Sequence, residues 1–192
     1  MTPTNSSSTN TAPLAQYDAR SIRYHWLSAA LVLGLWGMGQ CIDFFPKGDA
    51  RIFARSLHIS FGVALGVLLV LRLAWRRNAA AAKLPPAQAG IPGRLAIGAH
   101  HLLYALLAAT VLIGMACVWI RGDNLFNLFT VPAFDPGNKA LRHDAVELHE
   151  LAANSLLILA GLHGAAALAH HGLLKDKVLQ RMWPSLRARA IK

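Results

Sequence analysis

The chain has 192 residues, of which 55% are hydrophobic and only 15% are charged, and its formal net charge is +10. A soluble domain usually carries about a quarter charged residues, so this composition argues against a soluble fold. The charges are scarce in four long segments and dense between them, which is typical of a membrane protein and not of a nucleic-acid-binding one.

In chain order, residues 1–20 are polar and lack a basic stretch followed by an apolar one, so we expect a disordered tail and no cleavable signal peptide. About 20 mostly apolar residues suffice to span a bilayer as a helix. The sequence therefore predicts an all-α, integral membrane four-helix bundle over residues 21–174. Its spans are predicted at 21–42, 52–75, 94–120 and 145–174, with a proline-containing linker at 78–93, a polar loop at 121–144 and a basic tail at 175–192.

Four spans place both termini on one side of the membrane. That side collects thirteen basic and two acidic residues, whereas the other side has six basic and seven acidic residues. By the positive-inside rule, both termini are expected to be cytoplasmic, in a multi-pass protein of a bacterial inner membrane.

The two cysteines, Cys41 and Cys117, belong to no CxxC or CxxCH motif. Covalent attachment of a c-type haem and a thiolate metal site are therefore not expected.

Glycines recur in the spans, including a GxxxG step formed by Gly62 and Gly66. Small residues allow close contact between helices, and they equally leave room for a flat macrocycle. Both interpretations stay open, and they extend to Gly34, Gly37, Gly161 and Gly164.

Most of the nine histidines lie in or at the edge of a predicted span, where an ionisable side chain is costly to bury. On the fourth helix, His149 and His163 are separated by about 21 Å and by about 40° of rotation, so they share one face near opposite membrane surfaces. His25 lies at the inner depth of His163, and His58 lies at the outer depth of His149. This placement predicts two cross-helix pairs, each able to supply both axial ligands of a b-type haem.

Two further histidines leave the inner pair open to revision. His100 or His101 could replace His25 or His163 as a ligand, and His101 could instead bind a haem propionate or a quinone. Zinc is a poorer interpretation, because its ligands cluster around one point and these histidines are split between two depths.

Two more polar residues are candidates for a function near the haems. His170 follows His163 by seven residues, about 10 Å further in on the same face, and is either a solvated helix end or a proton-exchanging residue. Arg72 either belongs to the positive-inside cluster or pairs with a haem propionate. His143 is expected on the surface of the outer loop.

Five segments carry a resemblance to a known family. Across roughly residues 24–183 the chain resembles the bacterial cytochrome b561 family, in particular its superoxide:ubiquinone oxidoreductase branch. The chain departs from the pattern of this family in its long Ser/Thr-rich N-terminal tail and in its connecting loops. The matching segments are 23–27 (RYHWL), 57–60 (LHIS), 99–104 (AHHLLY), 148–150 (LHE) and 161–171 (GLHGAAALAHH).

The resemblance implies two haem b groups in a four-helix bundle. It assigns His25 and His163 to the inner haem iron and His58 and His149 to the outer one, and it suggests a quinone site near His170. The activity it implies is oxidation of superoxide at the outer haem and reduction of ubiquinone at the cytoplasmic side, with His170 delivering protons.

Basic residues near the outer entrance could steer a small anion such as superoxide. A rival hypothesis makes the chain a membrane electron-carrier subunit between the quinone pool and a partner redox protein. The oligomeric state stays open. Of the six outer basic residues, the candidates for this steering are Lys47, Arg51, Arg55, Arg121 and Arg142.

Overall fold

A computed structural model describes residues 16–78, 84, 90–176 and 178–183. Within these residues four helices are long and apolar enough to cross a membrane. A 3-10 turn continues the first helix to Phe44, and a π-helical turn at His170–Leu174 continues the fourth. The prediction of an all-α bundle with four spans is confirmed. The helices are α1 (Ala19–Cys41), α2 (Asp49–Arg77), α3 (Gly90–Arg121) and α4 (Lys139–Ala169).

Each helix begins earlier than the apolar pattern predicted. Polar or charged residues form the first turns of α1, α2 and α4, whereas α3 begins with Gly90, Ile91 and Pro92, and proline is tolerated in the first turn of a helix. Asp18 caps α1 by accepting hydrogen bonds from the backbone N–H groups of Arg20 and Ser21. Asn138 caps α4 through the N–H of Leu141. A side-chain oxygen at this position satisfies an otherwise unpaired donor of the first turn. The predicted tail 1–20, linker 78–93 and loop 121–144 therefore each include helical residues at their C-terminal ends. Residues 1–15, 79–83 and 85–89 lie outside the described part.

The loop between α3 and α4 folds back on α2. It contains two short antiparallel strands, β1 (Asn124–Leu125) and β2 (Phe129–Thr130), with Asn124 opposite Thr130. The turn between the strands is held by Ser56, a fully buried residue of α2, whose Oγ accepts a hydrogen bond of 2.9 Å from the Phe126 N–H. This contact positions the loop over the start of α2.

The bundle has two distinct ends. We call the end with the starts of α1 and α3 the terminal end, and the other the hairpin end. At the terminal end, the Trp75 indole N–H donates to the Asp18 carboxylate at 3.0 Å, so α2 ends beside the start of α1. The Trp26 indole N–H donates to the Met182 carbonyl at 3.0 Å. Part of the predicted basic tail 175–192 is thus folded against α1, while residues 177 and 184–192 lie outside the described part.

A cluster of buried leucines joins all four helices near the middle of the bundle. On α4 its member is Leu156, which follows His149 by seven residues and precedes His163 by seven. This spacing places the cluster between the two predicted histidine depths, on the same face of α4. The outward-facing side chains of the spans are mostly apolar and exposed, as a lipid environment requires. The leucine cluster consists of Leu35, Leu65, Leu69, Leu107 and Leu156.

Candidate functional site

At the hairpin end, His58 of α2 faces His149 of α4. Their ring centres are 6.3 Å apart and the ring planes are inclined by 85°. The Nδ1 atom of each ring is buried, and neither has a hydrogen-bond partner of ordinary geometry in the described part of the chain. Two buried imidazole rings that face each other across the bundle form a polar site in an otherwise apolar interior, and this arrangement suits a bound group.

At the terminal end, His25 of α1 faces His163 of α4. These ring centres are also 6.3 Å apart, and the planes are inclined by 71°. The structure therefore brings together both cross-helix pairs that the depth argument selected. Because α4 contributes one ring to each pair, the two sites lie at opposite ends of a single helix face.

The geometry of both pairs fits two axial ligands of one metal ion. A metal–imidazole bond is about 2 Å long, so two rings on opposite sides of an ion have centres about 6 Å apart. No group of three or more His, Cys, Asp or Glu side chains that could hold a metal ion occurs among the described residues. Two nitrogen donors without further protein ligands suit haem iron, whose remaining ligands come from the porphyrin, better than zinc.

A third ring adjoins the pair at the terminal end. The centre of His100 lies 5.0 Å from that of His163, and its Nδ1 is 2.6 Å from the Ala96 carbonyl oxygen. A hydrogen bond from Nδ1–H to a carbonyl leaves Nε2 free to bind a metal, which is the usual arrangement of a metal ligand. The His100 alternative therefore stays open. The neighbouring His101 is exposed and directed to the Ile97 carbonyl at 2.9 Å.

Arg72 contacts the other ring of this pair. Its Nη2 lies 3.1 Å from Nδ1 of His25, and its guanidinium stacks over the Tyr104 ring at 5.1 Å. Arginine only donates hydrogen bonds, so Nδ1 of His25 is the acceptor in this contact and the neutral ring carries its proton on Nε2. Coordination through Nε2 requires the proton to move to Nδ1. The Arg72 contact would then open, and its guanidinium would be free to pair with an anion.

His170 lies in the π-helical turn that ends α4. Its Nδ1 is 2.5 Å from the Asp176 carboxylate. Lys175, with a φ of 53°, is in the left-handed region and reverses the chain, so that Asp176 reaches back to His170. The structure therefore places a histidine–carboxylate pair near the terminal end, two helical turns beyond His163.

A cavity of about 510 Å³ opens at the hairpin end. It lies next to the His58–His149 pair along the helices, because Arg55 precedes His58 by three residues and Val146 precedes His149 by three. The lining combines three arginines with one carboxylate and is positive. The lining residues are Ile52, Arg55, Arg121, Gly122, Asp123, Asn124, Arg142, His143 and Val146.

Asp123 orients two of the three arginines. Its carboxylate is buried, 2.9 Å from Arg121 and 3.6 Å from Arg55. Burial raises the pKa of the Asp123 carboxyl above its usual value, and the two guanidinium groups oppose that rise. The third arginine, Arg142, donates from Nη2 to the Pro136 carbonyl at 2.8 Å, while its buried Nε has no partner within the described residues.

Not every predicted outer residue reaches this cavity. Lys47 and Arg51 are absent from its lining, and Arg51 instead pairs with Asp43 at 3.3 Å and with the Phe45 carbonyl. His143 was expected in a surface loop, and this was wrong in part. It is exposed, but it belongs to α4, lines the cavity and pairs with Glu147 at 3.1 Å.

The structure also reveals contacts that sequence reasoning missed. The Trp36 indole N–H donates to the Asn154 amide oxygen at 2.8 Å, joining α1 to α4 within the membrane. Gly39 faces the ring of His58 and Gly114 faces that of His149, since a Cβ built on these glycines would lie 3.5 Å and 2.8 Å from the respective Cε1 atoms. Nothing in the sequence distinguishes a glycine that faces a histidine of another helix from any other glycine in a span. Only the packing of the helices could show which glycines these are.

Of the glycines singled out from the sequence, Gly66 lies at a close approach between helices. A Cβ there would stand 3.0 Å from Val111 of α3. At the other five positions, a Cβ would meet nothing within 4 Å among the described residues. Close helix contact therefore accounts for one member of the GxxxG step only.

Four spans with histidines paired at two depths define the class of membrane bundles that hold haem between helices. The sequence model described as prokaryotic cytochrome b561 matches residues 16–185. The chain therefore belongs to the prokaryotic cytochrome b561 family, for which haem b is the expected cofactor.

Several curated relatives cover nearly the whole chain. Probable superoxide oxidase CybB of Yersinia pestis is 31% identical over 174 residues, which are 90% of this chain and 98% of that protein. Cytochrome b561 homolog 2 of Escherichia coli is 35% identical over 176 residues, 87% of this chain and 90% of that protein. Cytochrome b562 of Cereibacter sphaeroides is 29% identical over 172 residues, 86% of this chain and 94% of that protein. The chain is thus a membrane electron-transport protein of this family.

Proposed function

We propose that this chain is a di-haem superoxide:ubiquinone oxidoreductase. The observation that carries the proposal is the equal separation of 6.3 Å between ring centres in two histidine pairs at opposite ends of one helix face. In the proposal, His58 and His149 hold one haem at the hairpin end, and His25 and His163 hold the other at the terminal end. The terminal end faces the cytoplasm, in keeping with its excess of basic residues.

Haem iron, when bound, exchanges one electron at a time and supplies the redox chemistry. Two superoxide anions each lose one electron and leave as dioxygen. One ubiquinone gains those two electrons and two protons and leaves as ubiquinol. The chain's own residues bind the cofactors, admit the anion and deliver the protons.

The arginine-lined cavity is the proposed entrance for superoxide. Arg55, Arg121 and Arg142 make the field locally positive beside the His58–His149 pair, although the hairpin end as a whole is nearly neutral. A positive cleft raises the local concentration of an anionic substrate. The similarity to the Yersinia pestis relative, which is named a probable superoxide oxidase, supports the choice of anion.

At the terminal end, His170 is the proposed proton donor to the quinone. Its contact with Asp176 supplies an acidic partner that can pass protons on from the aqueous side. Arg72 is proposed to pair with a haem propionate, which becomes possible once its contact with His25 opens.

The decisive experiment is the haem-to-protein ratio of the purified wild type and of single alanine variants of the four proposed ligands. We expect two haems in the wild type, and the loss of the same haem from both members of a pair. His100→Ala is the matched control, because its ring adjoins His163 as well. Loss of the terminal-end haem from His100→Ala but not from His25→Ala would overturn the assignment of His25.

The substrate is tested separately on the haem-loaded wild type. Superoxide should reduce the haems, which is seen as a change of their absorbance spectrum. A ubiquinone analogue should then re-oxidise them and restore the original spectrum, with no partner protein present. An unchanged spectrum after superoxide would contradict the oxidase proposal and favour the rival function, a carrier subunit for a partner redox protein. The Escherichia coli and Cereibacter sphaeroides relatives are named only as cytochromes, which suits that rival equally.

A further inference from the structure

Gly114 of α3 lies directly against the ring of His149. A Cβ placed on Gly114 would stand 2.8 Å from Cε1 and 3.3 Å from Nδ1 of that ring. Carbon atoms of different side chains are ordinarily 3.5 Å or more apart, so any side chain here requires the ring or the helix to move. The position tolerates only a hydrogen atom while His149 keeps its present place.

Neither partner can yield easily. The helices α3 and α4 form the most extensive interface of the bundle, and they are also joined by the Cys117 thiol, which donates to the Ala145 carbonyl at 3.1 Å. The ring of His149 could turn away only by changing its separation from His58. A metal ion shared by both rings allows little change in that separation.

The corresponding position at His58 differs in a measurable way. A Cβ on Gly39 of α1 would stand 3.5 Å from Cε1 of His58, which is ordinary van der Waals contact. Each ligand of this pair therefore packs on a glycine of the neighbouring helix, but only the His149 position excludes a methyl group. This asymmetry provides a matched control within one site.

We infer that Gly114 is a positioning residue for the hairpin-end haem, and that it sets the distance of His149 from His58 by letting the ring pack against the α3 backbone. The inference rests on the proposed function, because it assumes that His149 is a haem ligand. It predicts that Gly114→Ala displaces the ring and weakens or loses one haem of two, while the terminal-end haem is unaffected.

The test compares Gly114→Ala with two controls of the same chemical change. These are Gly39→Ala, and Gly98→Ala on α3, where a Cβ would meet nothing within 4 Å in the described part. We would measure the haem-to-protein ratio, the redox potential of each haem and the electron paramagnetic resonance spectrum of the oxidised protein. This spectrum reports the orientation of the two axial rings independently of activity.

In Gly114→Ala we expect one of two results. Either the haem-to-protein ratio falls by about half, or both haems remain and the hairpin-end haem shows a shifted low-spin resonance signal and a shifted redox potential. The second haem signal should stay unchanged, which would show that the bundle is folded. Both controls should keep two haems with the wild-type spectrum. A wild-type spectrum for Gly114→Ala would overturn the inference, and so would loss of both haems, which would indicate a general packing role.

A fourth variant separates this inference from the proposed function. If His149→Ala keeps both haems, the ligand assignment fails and Gly114 has no haem ligand to position. If His149→Ala loses the hairpin-end haem while Gly114→Ala matches the wild type, only the inference about Gly114 fails.

Discussion

At the scale of single residues, the hairpin end shows how position decides the role of a charge. Arg51 and Arg142 carry the same charge and lie in the same region of the sequence-predicted topology. Arg51 is bound to Asp43 and to loop carbonyls, whereas Arg142 lines the cavity with a buried Nε that lacks a partner among the described residues. The proposed steering of superoxide should therefore depend on Arg142 and not on Arg51.

We expect Arg142→Gln to lower the second-order rate constant for reduction by superoxide by roughly threefold to tenfold at low ionic strength. Added salt should narrow the difference from the wild type, because it screens exposed charges. Stopped-flow absorbance at the haem bands measures this rate. Arg51→Gln removes the same charge outside the cavity and should leave the rate nearly unchanged, and equal losses in both variants would contradict local steering.

Asp123 gives a prediction for stability against pH. Burial raises the pKa of its carboxyl in the folded protein, so between the unfolded and the folded pKa the folded state binds more protons. The contribution of this group is therefore most favourable below its unfolded pKa and declines as the pH rises through its folded pKa. The check is the thermal stability of the wild type and of Asp123→Asn, measured at a series of weakly acidic pH values. The variant should lack the decline that Asp123 contributes. An identical dependence of stability on pH in the two proteins would refute the prediction.

At the scale of secondary-structure elements, the first turns of the helices were the least predictable part. The long apolar segments of the sequence identified four spans. However, α2 and α4 begin with polar residues, and α1 is capped by Asp18, which also accepts a hydrogen bond from α2. Asp18 accepts hydrogen bonds from two backbone N–H groups, the Ser21 hydroxyl and the Trp75 indole. Hydropathy does not report such capping, because it depends on side-chain hydrogen bonds.

We expect Asp18→Ala to destabilise the protein by roughly 1–2 kcal/mol, because it removes a helix cap together with a tie between α1 and α2. Asn138→Ala removes a cap that accepts a hydrogen bond from the Leu141 N–H and is not tied to another helix, so it should cost less. Unfolding of the haem-loaded protein in detergent, followed by circular dichroism, measures both. A smaller loss for Asp18→Ala than for Asn138→Ala would contradict this order.

The π-helical turn after α4 gives a kinetic prediction. Asp176→Asn preserves the size of the side chain that contacts His170 but removes its charge. If this pair delivers protons, re-oxidation by a ubiquinone analogue should slow severalfold, whereas reduction by superoxide at the other end should keep its rate. Rapid-mixing spectroscopy resolves the two half-reactions, and equal slowing of both would argue for a general structural effect.

At the scale of the whole molecule, the two ends of the bundle differ in charge. The terminal end collects most of the basic residues, so we expect both termini in the cytoplasm. Fusions of a reporter that is active only outside the cytoplasm should be inactive at the C-terminus and active in the loop at 122–138. The reverse pattern would invert the proposed direction of electron flow.

Much of the candidate site could be predicted because a helix has a fixed rise and a fixed rotation per residue. Once the spans were assigned, the depths of His25, His58, His149 and His163 followed, and so did their pairing. The relative rotation of α1 and α3 did not follow, because it depends on how side chains of all four helices pack. His100 therefore could not be separated from His25 by sequence, and in the structure it lies beside His163 as well.

The sequence by itself thus determined the four spans, the unequal charge of the two ends and the two depths at which histidines meet. Those features depend on composition and on the regular geometry of one helix at a time. Only the tertiary structure decided that Arg72 contacts His25, that three arginines share a cavity above the hairpin-end pair, and that Gly114 lies under the ring of His149. Each of these contacts joins residues from different helices or loops, so it depends on helix rotation and close packing, which no local pattern in the sequence records.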